Sequence, residues 1–118
     1  MEHRWGRRWD TAIDATLFSR RCAVGRGRIR NLSLTGAFVQ TPFAFRPLSL
    51  VDLELCLGLS HRKETHRVAG TVVRSSSDGI GIEWSDPLSP EFMRLAAVAN
   101  PGPLSTLSDR SSSAGLYA

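Results

Sequence analysis

Apolar and polar residues alternate with a period of two over much of this chain, the pattern of strands that bury one face and wet the other. The alternation is cleanest where Val51, Leu53, Leu55, Leu57 and Leu59 interleave with Asp52, Glu54, Cys56 and Gly58. Upstream, the β-branched and apolar run Thr11 to Ser19 predicts a first strand and Arg20-Arg21 a turn. Cys22 to Leu32 predicts a second strand, with Arg26, Arg28 and Arg30 on one face and Gly25, Gly27 and Ile29 on the other. Most such arginine stripes are solvated strand faces; a supplementary phosphate or partner surface is the functional alternative. Gly36 to Thr41 predicts a third strand that Pro42 interrupts. Pro42 and Pro47 bracket a loop holding Phe43 and Phe45, as rim packing or as an exposed contact. Ser60 to Thr65 reads as a polar turn and His66 to Ser75 as a fifth strand, with Gly70 at a bend or bulge. Asp78-Gly79 then turns the chain into a sixth, Gly79 to Trp84, in which Ile80, Ile82 and Trp84 face one way and Gly81 and Glu83 the other.

A helical period follows. Ser89-Pro90-Glu91 supplies an N-cap hydroxyl, a proline at the first helical position and a carboxylate in the first turn. Phe92, Leu95, Ala96 and Ala99 fall at i, i+3, i+4 and i+7, one apolar stripe suited to covering an open barrel end. Asn100-Pro101-Gly102-Pro103 stops the helix, and the serine-rich stretch from Leu104 to Ala118 has no period and is expected to be disordered. Short strands at regular spacing with one terminal helix predict an all-β fold, a small six-stranded antiparallel barrel with a helix. The expected plan is a flexible basic arm over 1–10, the barrel with its helix over 11–100, and a disordered tail over 101–118.

Composition narrows the classes. A chain of 118 residues suits one domain around one core. Its formal net charge is +4, and Lys63 is its only lysine. An excess of arginine suits planar, bidentate recognition of phosphate or guanine, although basicity alone fits RNA, DNA or an anionic membrane equally. Cys22 and Cys56 make neither a disulfide framework nor a C-x-x-C metal site, which points to a reducing cytosol. No apolar run approaches the ~20 residues of a membrane span, and the first residues lack the apolar core of a signal peptide. A cytoplasmic protein is therefore expected. His3, His61 and His66 lack metal-ligand spacing. With no Ser-His-Asp arrangement, Walker-type loop or H-E-x-x-H, and no base beside Ser33, no enzymatic activity, metal or cofactor is expected.

Two short patterns remain. Asn31-Leu32-Ser33-Leu34-Thr35-Gly36 places an amide, a hydroxyl and a glycine in the turn between the second and third strands, where such residues bond the local backbone or let another group approach it. Arg4-Trp5-Gly6-Arg7-Arg8 sets Arg4 and Arg8 four apart, with Arg7 between. R-x-x-x-R followed by D/N-x-S-x-x-G resembles the marks of the PilZ domain family, bacterial receptors for cyclic di-GMP. Either pattern alone is weak; both in this order, ahead of further strands, are fairly specific. Gly79-Ile80-Gly81-Ile82-Glu83-Trp84 is also similar to a late G-x-G-x-E-aromatic strand common in that family. The resemblance runs from Arg4 to about Ala99, and the barrel it implies agrees with the strand count that alternation predicts.

On the family's pattern, Arg4 and Arg8 would grip phosphate and the guanine edge, and Asn31 would meet another guanine edge. Ser33 would donate its hydroxyl to the ligand, and Gly36 would keep the turn open for backbone approach. Arginine suits the task because its fork matches both phosphate oxygens and guanine O6 and N7. Asn in place of the commoner Asp removes a charge that would accept from guanine N1 and N2. Arg7 and Arg74 are weaker candidates for phosphate and Trp84 for stacking, the core being an equal reading of Trp84 beside Ile80 and Ile82. The spacing from Arg8 to Ile13 is longer by a residue or two than the family's, which would let Arg7 replace Arg8 in one contact. The implied function is a cyclic di-GMP receptor that passes the second-messenger level to a protein effector, with motility, attachment or polysaccharide production as output. The alternatives are a PilZ-like adaptor without nucleotide binding and a basic small-barrel nucleic-acid binder. Against the latter, the aromatics do not interleave with basic residues along the predicted strands.

Overall fold

The computed structural model describes residues 8–58 and 62–99, and every strand within them belongs to one closed antiparallel barrel. In chain order the elements are β1 (Trp9–Ser19), β2 (Cys22–Leu32), β3 (Gly36–Gln40), β4 (Leu50–Gly58), β5 (Lys63–Ser75), β6 (Gly79–Trp84) and α1 (Pro90–Ala99). Around the barrel they run β1-β2-β3-β6-β5-β4, and β4 pairs back onto β1 through Asp14 to Phe18 and Asp52 to Cys56. The all-β fold with a terminal helix that alternation predicts is the fold observed. No helix among the described residues is long and apolar enough to cross a membrane.

The inward set is the alternating set. Ile13, Leu17, Ile29, Leu32, Val39, Leu53, Leu55, Leu57, Val72 and Ile80 are fully buried, and Trp84 joins them. Arg20 and Arg21 form the β1–β2 turn between the paired Ser19 and Cys22. On β2, Arg26 and Arg28 are exposed and Ile29 is buried, as parity predicts. Gly25 lies under Phe43, whose ring would stand 2.0 Å from a Cβ there.

Several boundaries differ from the sequence reading. Trp9 and Asp10, assigned above to the arm, already pair with Leu32 and Asn31, so β1 begins before the apolar run does. β5 starts at Lys63, with Lys63, Glu64 and Thr65 opposite Gly58, Leu57 and Cys56. Polar side chains there stay in water while the backbone completes its ladder, which a reading of hydrophobicity alone does not register. β3 stops at Gln40, and Thr41 instead gives its hydroxyl to the Arg26 carbonyl at 3.1 Å. The register of β5 shifts between Val72 and Arg74 and not at Gly70. Gly70 is glycine for space, since a Cβ would stand 2.6 Å from Ile82 Cγ2. Leu59, and Ser60 and His61 of the predicted polar turn, lie outside the described residues.

The helix starts as its capping residues dictate, the Phe92 amide donating to Ser89 Oγ at 3.0 Å. Its phase is rotated from the predicted stripe. Met93 and Ala96 are buried, whereas Leu95 is 40% exposed. Phe92 is half-buried, set edge-on to His66 at a centroid distance of 5.1 Å. His66 in turn meets Glu64 at 3.2 Å, and hydrogen bonds from Arg62 and from His66 hold Glu64 below the ordinary carboxylate range. The side chain of Ala99 and the predicted tail over 101–118 lie outside the description.

Candidate functional site

The two short patterns meet at one end of β2. Because β1 pairs Trp9 with Leu32 and Asp10 with Asn31, the residue just ahead of β1 is carried beside the motif turn. There Arg8 Nη1 donates to Asn31 Oδ1 at 2.6 Å. Arg8 is exposed and Asn31 half-buried, so the guanidinium retains donors facing solvent. Arg4 and Arg7 lie outside the described residues.

The turn itself is built from within. Ser33 Oγ accepts from the amides of Gly36 at 3.2 Å and Thr35 at 3.3 Å, and its hydroxyl donates to the Gly36 carbonyl at 3.2 Å. The Ser33 amide donates to that same carbonyl at 2.8 Å. Ser33 is only 3% exposed. The hydroxyl expected to reach a ligand points into the turn here and closes it. Gly36 is likewise explained from inside, since a Cβ would stand 2.2 Å from the Ile82 carbonyl oxygen of β6. The absence of a side chain there admits the neighbouring strand.

Trp84 ties the turn to the core. It is 5% exposed, its Nε1 donates to the Ser33 carbonyl at 3.3 Å, and its amide donates to Thr35 O at 2.8 Å. Of the two readings of Trp84, stacking and core, the 5% exposure accords with the core, and the indole supports the turn from beneath. The Leu88 amide adds a bond to Leu34 O at 2.8 Å, fixing the connection to α1 on the same turn.

One outward row of the ladder runs across four strands from this point. Asn31 of β2 stands opposite Phe38 of β3, Phe38 opposite Gly81 of β6, and Gly81 opposite Arg74 of β5. Three strand spacings make the row about 14 Å wide. Phe38 is half-buried and Arg74 exposed, and a Cβ on Gly81 would lie 3.4 Å from Arg74 Nη2. The Arg74 side chain thus lies over the buried Gly81, and the Phe38 ring stands between that guanidinium and the Arg8–Asn31 pair. Glu83, exposed opposite Gly36, is the next outward residue of β6. Sequence reasoning did not single out Phe38 as an outward aromatic. The signal for it was parity: Ala37 and Val39 take the inner face, which leaves Phe38 outside.

The arginine stripe continues this face along β2. Arg30 Nη1 donates to Gln40 Oε1 at 2.8 Å, and Arg28 pairs with Asp14 at 3.2 Å. Beside them an open groove of about 720 Å³ is lined by Asp14, Arg26, Arg28, Gln40, Thr41 and Asp78, among others. Arg28 is partly neutralised by Asp14, whereas Arg26 forms no ion pair among the described residues.

Comparison with known proteins gives the family and the fold. The family model for the PilZ domain matches residues 2–97, a span that takes in both motifs, all of the strands and most of α1. Among solved structures, the Bacillus subtilis inhibitor of motility (MotI/DgrA) is similar in fold, with a TM-score of 0.66 at 17% identity. That similarity covers 94% of this chain and 55% of the other, so the chain spans about half the length of that protein. No curated protein matches the sequence. With the family model covering most of its length, and R-x-x-x-R and D/N-x-S-x-x-G both present within it, this chain belongs to the PilZ domain family.

Proposed function

We propose that the chain is a non-enzymatic receptor for cyclic di-GMP, which binds on the outer face between the Arg8–Asn31 pair and Arg74. The observation that carries this reading is the hydrogen bond from Arg8 to Asn31, one residue from each motif, on an open surface. Cyclic di-GMP presents two phosphodiester charges and two guanines, so a receptor needs arginine forks for phosphate and for guanine O6 and N7. Arg8 and Arg74 supply forks at the two sides of the row, and Phe38 supplies an apolar surface between them. Asn31 offers an amide to a guanine edge, and Glu83 supplies the carboxylate that Asn31 lacks for guanine N1 and N2. Arg4 or Arg7 would close from the arm over the ligand. Binding would shift the arm toward one arrangement against the barrel and so present or hide a surface for a protein effector.

Calorimetric titration with cyclic di-GMP, beside GTP and cyclic GMP, tests the reading. Selective micromolar or tighter binding is the expected result. Arg8→Ala or Asn31→Ala should each weaken it about ten- to a hundredfold, the scale of a hydrogen bond to a charged group. Absence of binding would move the assignment to a protein adaptor that does not read the nucleotide.

A further inference from the structure

Three non-glycine residues among those described hold positive φ, and they gather at the barrel end farthest from Arg8. They are Arg20 at 53°, Arg21 at 70° and Leu48 at 73°. A two-residue hairpin turn with positive φ at both centres ordinarily takes Asn-Gly. Here two arginines hold it, at a conformational cost and with like charges side by side. Arg46-Pro47-Leu48-Ser49 closes through the Ser49 amide and Arg46 carbonyl at 3.1 Å. Proline at its second position and positive φ at its third make a type II turn, whose third position favours glycine. Leu48 occupies it and leaves 77% of its surface exposed, and Leu50 leaves 74%.

Neither leucine serves the core, and neither arginine serves the turn. The two turns adjoin one another: Arg20 and Arg21 line a groove of about 500 Å³ with Phe18, Ser49, Leu50 and Asp52. Arg46 is exposed beside it, and Asp52, half-buried, is the one acidic residue of that lining. Leucines standing out on a turn reach a fluid apolar layer without needing a shaped pocket, and guanidinium groups around them meet phosphate oxygens bidentately. A second copy placed symmetrically would set these arginines against their own kind.

We propose that this end of the barrel, with Arg20, Arg21 and Arg46 around Leu48 and Leu50, docks on the headgroups of an anionic lipid surface. Strand β1 is 11 residues long, so this end lies about 35 Å from Arg8 along the hairpin. The docking is thus independent of the nucleotide site and stands whether or not cyclic di-GMP binds.

Sedimentation of the full chain with vesicles of phosphatidylcholine and phosphatidylglycerol, and with phosphatidylcholine alone, tests it. The chain should pellet with the mixed vesicles, about tenfold less with neutral ones, and come off as salt rises. Arg20→Gln with Arg21→Gln should cut binding about tenfold or more while leaving the nucleotide titration unchanged. Leu48→Gly separates docking from folding: it should keep or raise the melting temperature, because glycine accepts that φ, yet weaken vesicle binding. Equal pelleting with both vesicle types, no pelleting, or variants that bind as the parent does would overturn the proposal. A dimer in sedimentation velocity that Leu48→Gly dissolves would also overturn it, in favour of a second copy.

Discussion

A buried hydroxyl with three backbone partners and a glycine facing a carbonyl oxygen define the motif turn at the residue scale. Ser33→Ala removes the acceptor for two amides and should cost about 1–3 kcal/mol, the usual consequence of stranding buried polar groups. Gly36→Ala meets backbone 2.2 Å away, which cannot step aside as a side chain can, and overpacking of this kind costs about 1–3 kcal/mol or more. Thermal melts of both variants check this: each should melt below the parent, and a Ser33→Ala protein as stable as the parent would show that these hydrogen bonds do not hold the turn. The sequence made these residue types legible as a motif but not their division of labour. Ser and Gly in a turn suit either a ligand or the turn's own closure, and the part they play in closure depends on Ile82 and Trp84 across the sheet, which no local pattern specifies. Phe38 was hidden for the opposite reason, since a phenylalanine between Ala37 and Val39 reads as core until its parity is followed.

At the scale of elements, alternation located every strand because one-sided burial imposes a period of two on each. It located their ends less well wherever polar residues complete a ladder in water, as Lys63 to Thr65 do. The helix phase was equally beyond a single-element reading: Met93 and Ala96 face inward because of where the barrel mouth lies, and Phe92 turns instead to His66. That contact links α1 to β5 next to Glu64, and it bears on acid stability. The folded value of Glu64 lies below its ordinary 4.5, so its pairing with Arg62 and His66 is present above that value and lost as pH falls through the folded one. Melts recorded below pH 4.5 should therefore decline less steeply in Glu64→Gln than in the parent. The difference should shrink in high salt, because the pair is solvent-exposed.

For the whole molecule, the order β1-β2-β3-β6-β5-β4 means that closure joins residues distant in sequence. Asp14 pairs with Cys56, and Gly36 with Glu83. Folds dominated by such pairings refold in milliseconds to seconds, against microseconds for local ones, because loop entropy is lost before contacts form. Stopped-flow refolding should give a main phase in that slower range, and a microsecond phase carrying the full amplitude would contradict a closed barrel. Strand count was legible in the sequence. The neighbour relations were not, since nothing in the alternation of Gly36–Gln40 specifies β6 as its partner.

The same strand order has a consequence for the chain as it leaves the ribosome. Once Gly58 has emerged, β3, β2, β1 and β4 can already lie side by side, but the outer edges of β3 and β4 stay unpaired until the β5–β6 hairpin arrives between them. Those two edges are templates for any neighbouring strand. The last stave therefore serves the nascent protein as protection against association as much as it serves the finished one as structure.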